Sequence, residues 1–184
     1  MKTLFSILLS AFLVTAPLSV NPAEPQQPKL SPTLTDNQKD LLNLAFTIAK
    51  KDGHEYPHLL QGIIFLESRA GEVRTGKKPT SYYGVGQIKV GAARDVLNRF
   101  PKMKARFGPA LKTDEQIKKR LIEDDVFNLA VASKYILIMK TYGFKTARQL
   151  ALAYNQGPGG AKRFDEETHY YPSKVMKAIQ KIHK

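Results

Sequence analysis

The chain has 184 residues, with 29 Lys plus Arg against 16 Asp plus Glu, a formal charge of +13 and a pI near 9.8. With 42% hydrophobic and 24% charged residues it is a folding composition at the length of one domain. The absence of cysteine excludes disulfides, thiolate zinc sites, iron–sulfur clusters, a cysteine nucleophile and a cysteine-linked lipid anchor, which leaves chemistry to carboxylates, hydroxyls and histidines.

At the N-terminus, Lys2 precedes the apolar run 4–14, and the small or turn-forming residues Ala16, Ser19 and Ala23 follow. This is the pattern of a secretory signal over residues 1–23. The apolar run is well short of the ~20 residues that span a bilayer, so no membrane span is expected after cleavage, the alternative being an uncleaved N-terminal membrane anchor. Cleavage removes only the charge of Lys2, and +13 becomes +12. So basic an exported chain is expected to meet an anionic polymer, and export argues against nucleic acid. Residues 24–34 contain Pro25, Pro28 and Pro32 and read as an extended linker.

A single domain, mainly α with at most a minor sheet (an α+β variant), is expected over 35–184. Thr35 is placed to cap a helix whose apolar residues Leu41, Leu42, Ala45, Ile48 and Ala49 recur at helical spacing, and Gly53 ends it. Pro57 opens a second helix that runs to Glu67 and Ser68. Glycines and prolines over 71–86 predict a loop or small hairpin. Helices are predicted at 90–100, from the capping box Thr113-Asp114-Glu115-Gln116 to Leu121 or Ile122, and at 126–139, the last apolar on nearly every side and therefore central and buried. Two more are predicted: 146–154, stopped by Gly157-Pro158-Gly159-Gly160, and 172–182.

Four segments carry candidate chemistry. Glu67 closes a core helix, where partial desolvation raises a carboxyl pKa and equips it to protonate a leaving oxygen. Gly84-Val85-Gly86-Gln87 brings backbone and an amide close to a ligand. Ala153-Tyr154-Asn155-Gln156-Gly157 offers a ring for a sugar face and an amide for its polar rim. His54-Glu55-Tyr56-Pro57-His58 has the letter pattern of zinc proteases. That motif needs one continuous helix, whereas Gly53 and Pro57 mark a helix that only begins here, so no metal and no cofactor is expected.

Taken in order, Glu67-Ser68, Gly84-x-x-Gln87-Ile88, Ala153-Tyr154-Asn155-x-Gly157-Pro158-Gly159 and Glu167-Thr168-x-x-Tyr171-x-x-Lys174-Val175 resemble the motifs of soluble-lytic-transglycosylase (SLT) catalytic domains of the lysozyme-like superfamily. The chain departs from that family at Gly86, where methionine is usual, at Pro172, and in a basic insertion over 102–123.

The resemblance implies a lysozyme-like domain with a glycan cleft, acting in periplasm or cell wall as a monomer, with peptidoglycan strands as its partner. It implies Glu67 and Tyr171 as catalytic residues and Ser68, Gln87, Tyr154 and Asn155 as substrate-binding ones. The implied reaction cleaves the β-1,4 bond between N-acetylmuramic acid and N-acetylglucosamine and closes a 1,6-anhydro ring with one carboxylate, where most glycosidases use two. The alternatives are a hydrolytic muramidase, for which Glu72 or Asp95 would be the second acid, and a non-catalytic glycan-binding component of a secretion or phage apparatus.

Overall fold

The computed structural model describes residues 29–74, 81–108 and 111–184. The signal segment 1–23 and residues 24–28 of the proline-rich stretch lie outside the described residues. The elements are α1 (Asp36–Lys51), α2 (Pro57–Ser68), α3 (Val90–Arg99), α4 (Pro101–Phe107), α5 (Asp114–Glu123), α6 (Asp125–Thr141), α7 (Ala147–Ala161) and α8 (Tyr170–Ile182). Among the described residues the only β pairing is an isolated bridge between Tyr83 and Ile88, so the fold is mainly α.

Local chemistry sets most of the helix ends. Thr35, Thr113 and Thr146 each accept a bond from the backbone N–H three residues on, and the glutamine there returns one to the cap backbone. Such reciprocal caps satisfy orphan N–H groups, worth ~1 kcal/mol each. Pro57 sits in the first turn of α2, where its missing N–H costs nothing. Pro101 plays the same part in α4, a helix that periodicity does not predict because it buries only Met103.

Two boundaries differ from expectation. α8 begins at Tyr170, because His169 accepts the Tyr171 N–H through Nδ1 and Pro172 falls in the first turn, where a proline is tolerated. In α7 the predicted stop is a kink: Gly157 takes φ 69° and ψ 168°, and Pro158 starts a further helical stretch to Ala161.

The predicted central helix is α6, whose Phe127, Leu129, Val131, Ala132 and Ile136 are fully buried. α1, α3, α5 and α7 pack around it, and α2 lies against both α1 and α8. The α2–α8 contact is close because of Gly62. A Cβ there would stand 2.5 Å from Ile179 Cγ1 and 3.0 Å from the Val175 carbonyl oxygen. The last residues of the stretch read as linker belong to this domain: the Ser31 N–H donates to the Ile182 carbonyl at 2.8 Å, and Leu34 is buried.

Candidate active site

Helices α2 and α8 run antiparallel, and each end of the pair is closed by side chains. At the first end are His58 and Gln61 near the start of α2 and His183 just after α8. His58 Nδ1 lies 2.8 Å and His183 Nε2 3.2 Å from the same Gln61 Oε1, while Gln61 Nε2 donates to the Leu42 carbonyl at 3.1 Å. His54 lies outside α2 and bonds to Ser133 Oγ at 2.9 Å, so the two histidines of the zinc-like letter pattern serve separate structural networks.

At the other end the Tyr171 hydroxyl donates to Glu67 Oε1. Burial raises the Glu67 carboxyl above its ordinary range, and this hydrogen bond from Tyr171 pulls the other way. No charged group among the described residues contributes to the shift. Tyr171 is itself buried, and burial together with the Glu67 charge holds its hydroxyl well above the ordinary tyrosine range. It therefore keeps its proton and acts as the donor. The carboxyl thus stands between desolvation, which favours the acid, and a hydroxyl donor, which favours the carboxylate.

The turn after Glu67 is built from the residue that follows it. Ser68 is 1% exposed, and its hydroxyl donates to the Ile64 carbonyl and accepts the Gly71 N–H, both at 3.0 Å. Both bonds close α2 and shape the turn after it, so the role the structure shows for Ser68 is that of a turn former. The backbone then takes positive φ at Arg69 and Ala70, and Gln38 Nε2 from α1 holds the Arg69 carbonyl at 3.0 Å and Glu72 Oε1 at 3.1 Å.

The glycine-rich loop is a tight turn between Tyr83 and Ile88, closed by two backbone bonds of 3.0 Å. It is pinned from α6 by the fully buried Asn128, whose Oδ1 accepts the Gly86 N–H at 2.7 Å and whose Nδ2 donates to the Tyr83 and Leu121 carbonyls, each at 2.9 Å. Gly84 has φ 70°, and a Cβ there would run into the Leu121 carbonyl and the Asn128 amide. A Cβ on Gly86 would stand 2.9 Å from both Asn128 Oδ1 and the Tyr154 hydroxyl. This crowding accounts for glycine at 86.

Gln87 is half-buried at φ 47°, with Nε2 donating to the Gly84 carbonyl at 2.8 Å. It lines a cavity of about 100 Å³ together with Tyr82, Tyr135, Tyr154 and Asn155. Tyr154 is only 8% exposed. Its hydroxyl donates to the Gly86 carbonyl at 2.7 Å, and its ring meets Tyr135 edge-on at 5.7 Å. Little of that ring is left for the sugar face expected of it, and its clearest work is to hold the loop that carries Gln87. Asn155 is half-buried beside it and accepts a bond from the Gln156 amide.

The two acids weighed as partners of Glu67 have other ties. Glu72 receives the Gln38 amide and borders a separate groove of about 630 Å³ with Asp40, Arg74 and Asp125. Asp95 bonds Arg99 Nε at 2.9 Å on the exposed side of α3. Sequence reasoning missed Asn128, Tyr135 and Gln38. A lone amide in the apolar run 126–139 was the available signal for Asn128; Gln38 stands three residues after the cap Thr35, which signals its capping role but not its hold on Arg69 and Glu72, and nothing local marks Tyr135. No protein-family model, curated protein or solved structure matches the chain significantly.

Proposed function

We propose that the protein is an exported peptidoglycan lytic transglycosylase with a lysozyme-like helical fold and Glu67 as its acid and base. The observation that carries this reading is the Glu67–Tyr171 pair, a half-buried carboxyl with raised pKa whose one shifting partner is a hydroxyl. A protonated Glu67 gives its proton to the bridging oxygen of the β-1,4 bond, which breaks as the muramic acetamido oxygen attacks its own anomeric carbon. The resulting carboxylate, stabilised by the Tyr171 hydroxyl, takes the proton of the C6 hydroxyl, whose oxygen displaces the acetamido oxygen and closes the anhydro ring. The proton is returned to Glu67 and no water is consumed. Positioned acid–base catalysis of this kind contributes ~10²–10⁴ in rate.

The ties of Glu72 to Gln38 and of Asp95 to Arg99 favour this route over hydrolysis, which requires a second carboxylate near the first. Purified sacculi incubated with the protein should release products one water lighter than reducing muropeptides and resistant to borohydride, as read by mass spectrometry. Glu67→Gln should abolish the release and leave the circular dichroism spectrum unchanged. Reducing muramic ends would establish hydrolysis instead, and a lack of turnover with retained wall binding would make the chain a glycan-binding component.

A further inference from the structure

The 162–170 segment leads from α7 into α8 and carries a row of rings that the site above does not use. Phe164 and Tyr170 are the most exposed large hydrophobic side chains among the described residues, at 47% and 57%. Between them stands His169, its ring centroid 5.2 Å from Phe164 and 4.8 Å from Tyr170, the latter nearly parallel at 29°. Tyr170 in turn meets the Tyr171 ring edge-on at 6.4 Å. The row therefore starts at the tyrosine that holds Glu67 and runs outward over the surface.

The turn that displays these rings is firmly built. The His169 N–H donates to the Asp165 carbonyl at 2.9 Å, the Glu167 N–H to Asp165 Oδ1 at 2.8 Å, and the Tyr171 N–H to His169 Nδ1 at 3.2 Å. Arg148 ties Glu167 from α7 through an ion pair of 3.0 Å. Three rings lie side by side here, two of them exposed, and their faces contribute contact area for a ligand rather than for the core.

The patch does not suit a protein partner. Charged residues Lys162, Arg163, Asp165, Glu167 and Lys174 interrupt it, leaving no continuous apolar area of the kind that forms the centre of a protein interface. It suits a carbohydrate chain. Pyranose rings offer flat C–H faces to aromatic rings and hydroxyls to the polar rim. Lys174 Nζ rests 5.0 Å from the Tyr170 centroid, an exposed cation that a sugar can displace towards a stem-peptide carboxylate.

Resting on the transglycosylase reading, we propose that Phe164, His169 and Tyr170 form an auxiliary glycan-binding platform that holds a peptidoglycan strand beyond the bond cleaved at Glu67. The platform leads away from the Tyr171 ring in centroid steps of 6.4, 4.8 and 5.2 Å, so a strand that runs on past the cleaved bond gains contacts that a fragment ending there lacks.

The test uses the full chain with Phe164→Ala, Tyr170→Ala and the rescue variant Tyr170→Trp. On long, peptide-free glycan strands both alanine variants should raise KM by about three- to tenfold, the loss expected for one aromatic contact. The kcat should hold, turnover of a minimal tetrasaccharide should be unchanged, and Tyr170→Trp should restore KM. Equal losses on both substrates, or no loss on long strands, would overturn the platform.

A binding arm keeps this outcome separate from the reaction itself. An oligomer of N-acetylglucosamine is titrated into each protein and followed by NMR. Binding that weakens about three- to tenfold in the alanine variants supports the platform even if wild-type protein turns over no wall. Absent or equal binding refutes it even if anhydro products form.

Discussion

Asn128→Ala is the perturbation that most directly probes how the site is held. The side chain is fully buried and makes three hydrogen bonds, two donated to the Tyr83 and Leu121 carbonyls and one accepted from the Gly86 N–H. Truncation removes the partner and leaves three buried backbone groups to find others. Each such group costs ~1–3 kcal/mol, and partial access of water lowers the sum, so the expected loss is ~3–5 kcal/mol. Against a total stability of ~5–15 kcal/mol that is a large fraction, and in a chain of this size it lowers Tm by about 10 °C. Urea unfolding by circular dichroism measures it, with an unchanged m value as the sign that only stability moved. Asn128→Asp separates the two kinds of bond, because a carboxylate still accepts from Gly86 but faces two carbonyls it cannot donate to. It should therefore be no more stable than the alanine variant. A loss below ~1 kcal/mol for Asn128→Ala would refute the assignment of these bonds as the pins of the Gly84–Gln87 turn.

Gly62→Ala forces a methyl group against Ile179 and the Val175 carbonyl; it should cost ~1–3 kcal/mol and lower kcat by spreading α2 from α8 and so Glu67 from Tyr171, as read by paired unfolding and wall-cleavage assays. Tyr171→Phe removes the influence that lowers the Glu67 pKa and leaves burial; the carboxyl moves further up, and the alkaline limb of the pH–rate profile should shift to higher pH, whereas a merely structural tyrosine would leave the limb in place. Burial, then the neighbouring His58, lowers the His183 pKa below 6.5 in the folded chain. The unfolded state then binds more protons, so this contribution to stability is present above pH 6.5 and lost as pH falls from there through the folded value. His183→Gln should flatten Tm between neutral pH and pH 5, and an unchanged slope would dismiss the imidazole.

Much of the helical frame is legible in the chain because its signals are local. Threonines with glutamine three residues on mark the starts of α1, α5 and α7, and a run apolar on all sides can only be a helix enclosed by others, which is α6. The order of Glu67, the glycine-rich loop, Tyr154 and Tyr171 is also written there. Their geometry is not, because it depends on contacts between residues far apart in sequence. Only the antiparallel packing of α2 and α8, made close by Gly62, brings Tyr171 to a carboxyl 104 positions earlier. Tertiary packing alone turned Ser68 inward to close its own helix and sank Tyr154 against Gly86. It also gave Asn128, an unremarked amide in an apolar run, two backbone partners in the glycine-rich turn more than forty positions earlier, beside one in the preceding helix. Helix propensity and caps act over three or four residues and so can be read along the chain; the pairing of buried polar groups is settled only when those helices pack, since each buried donor or acceptor must then find a partner in whatever segment lies beside it.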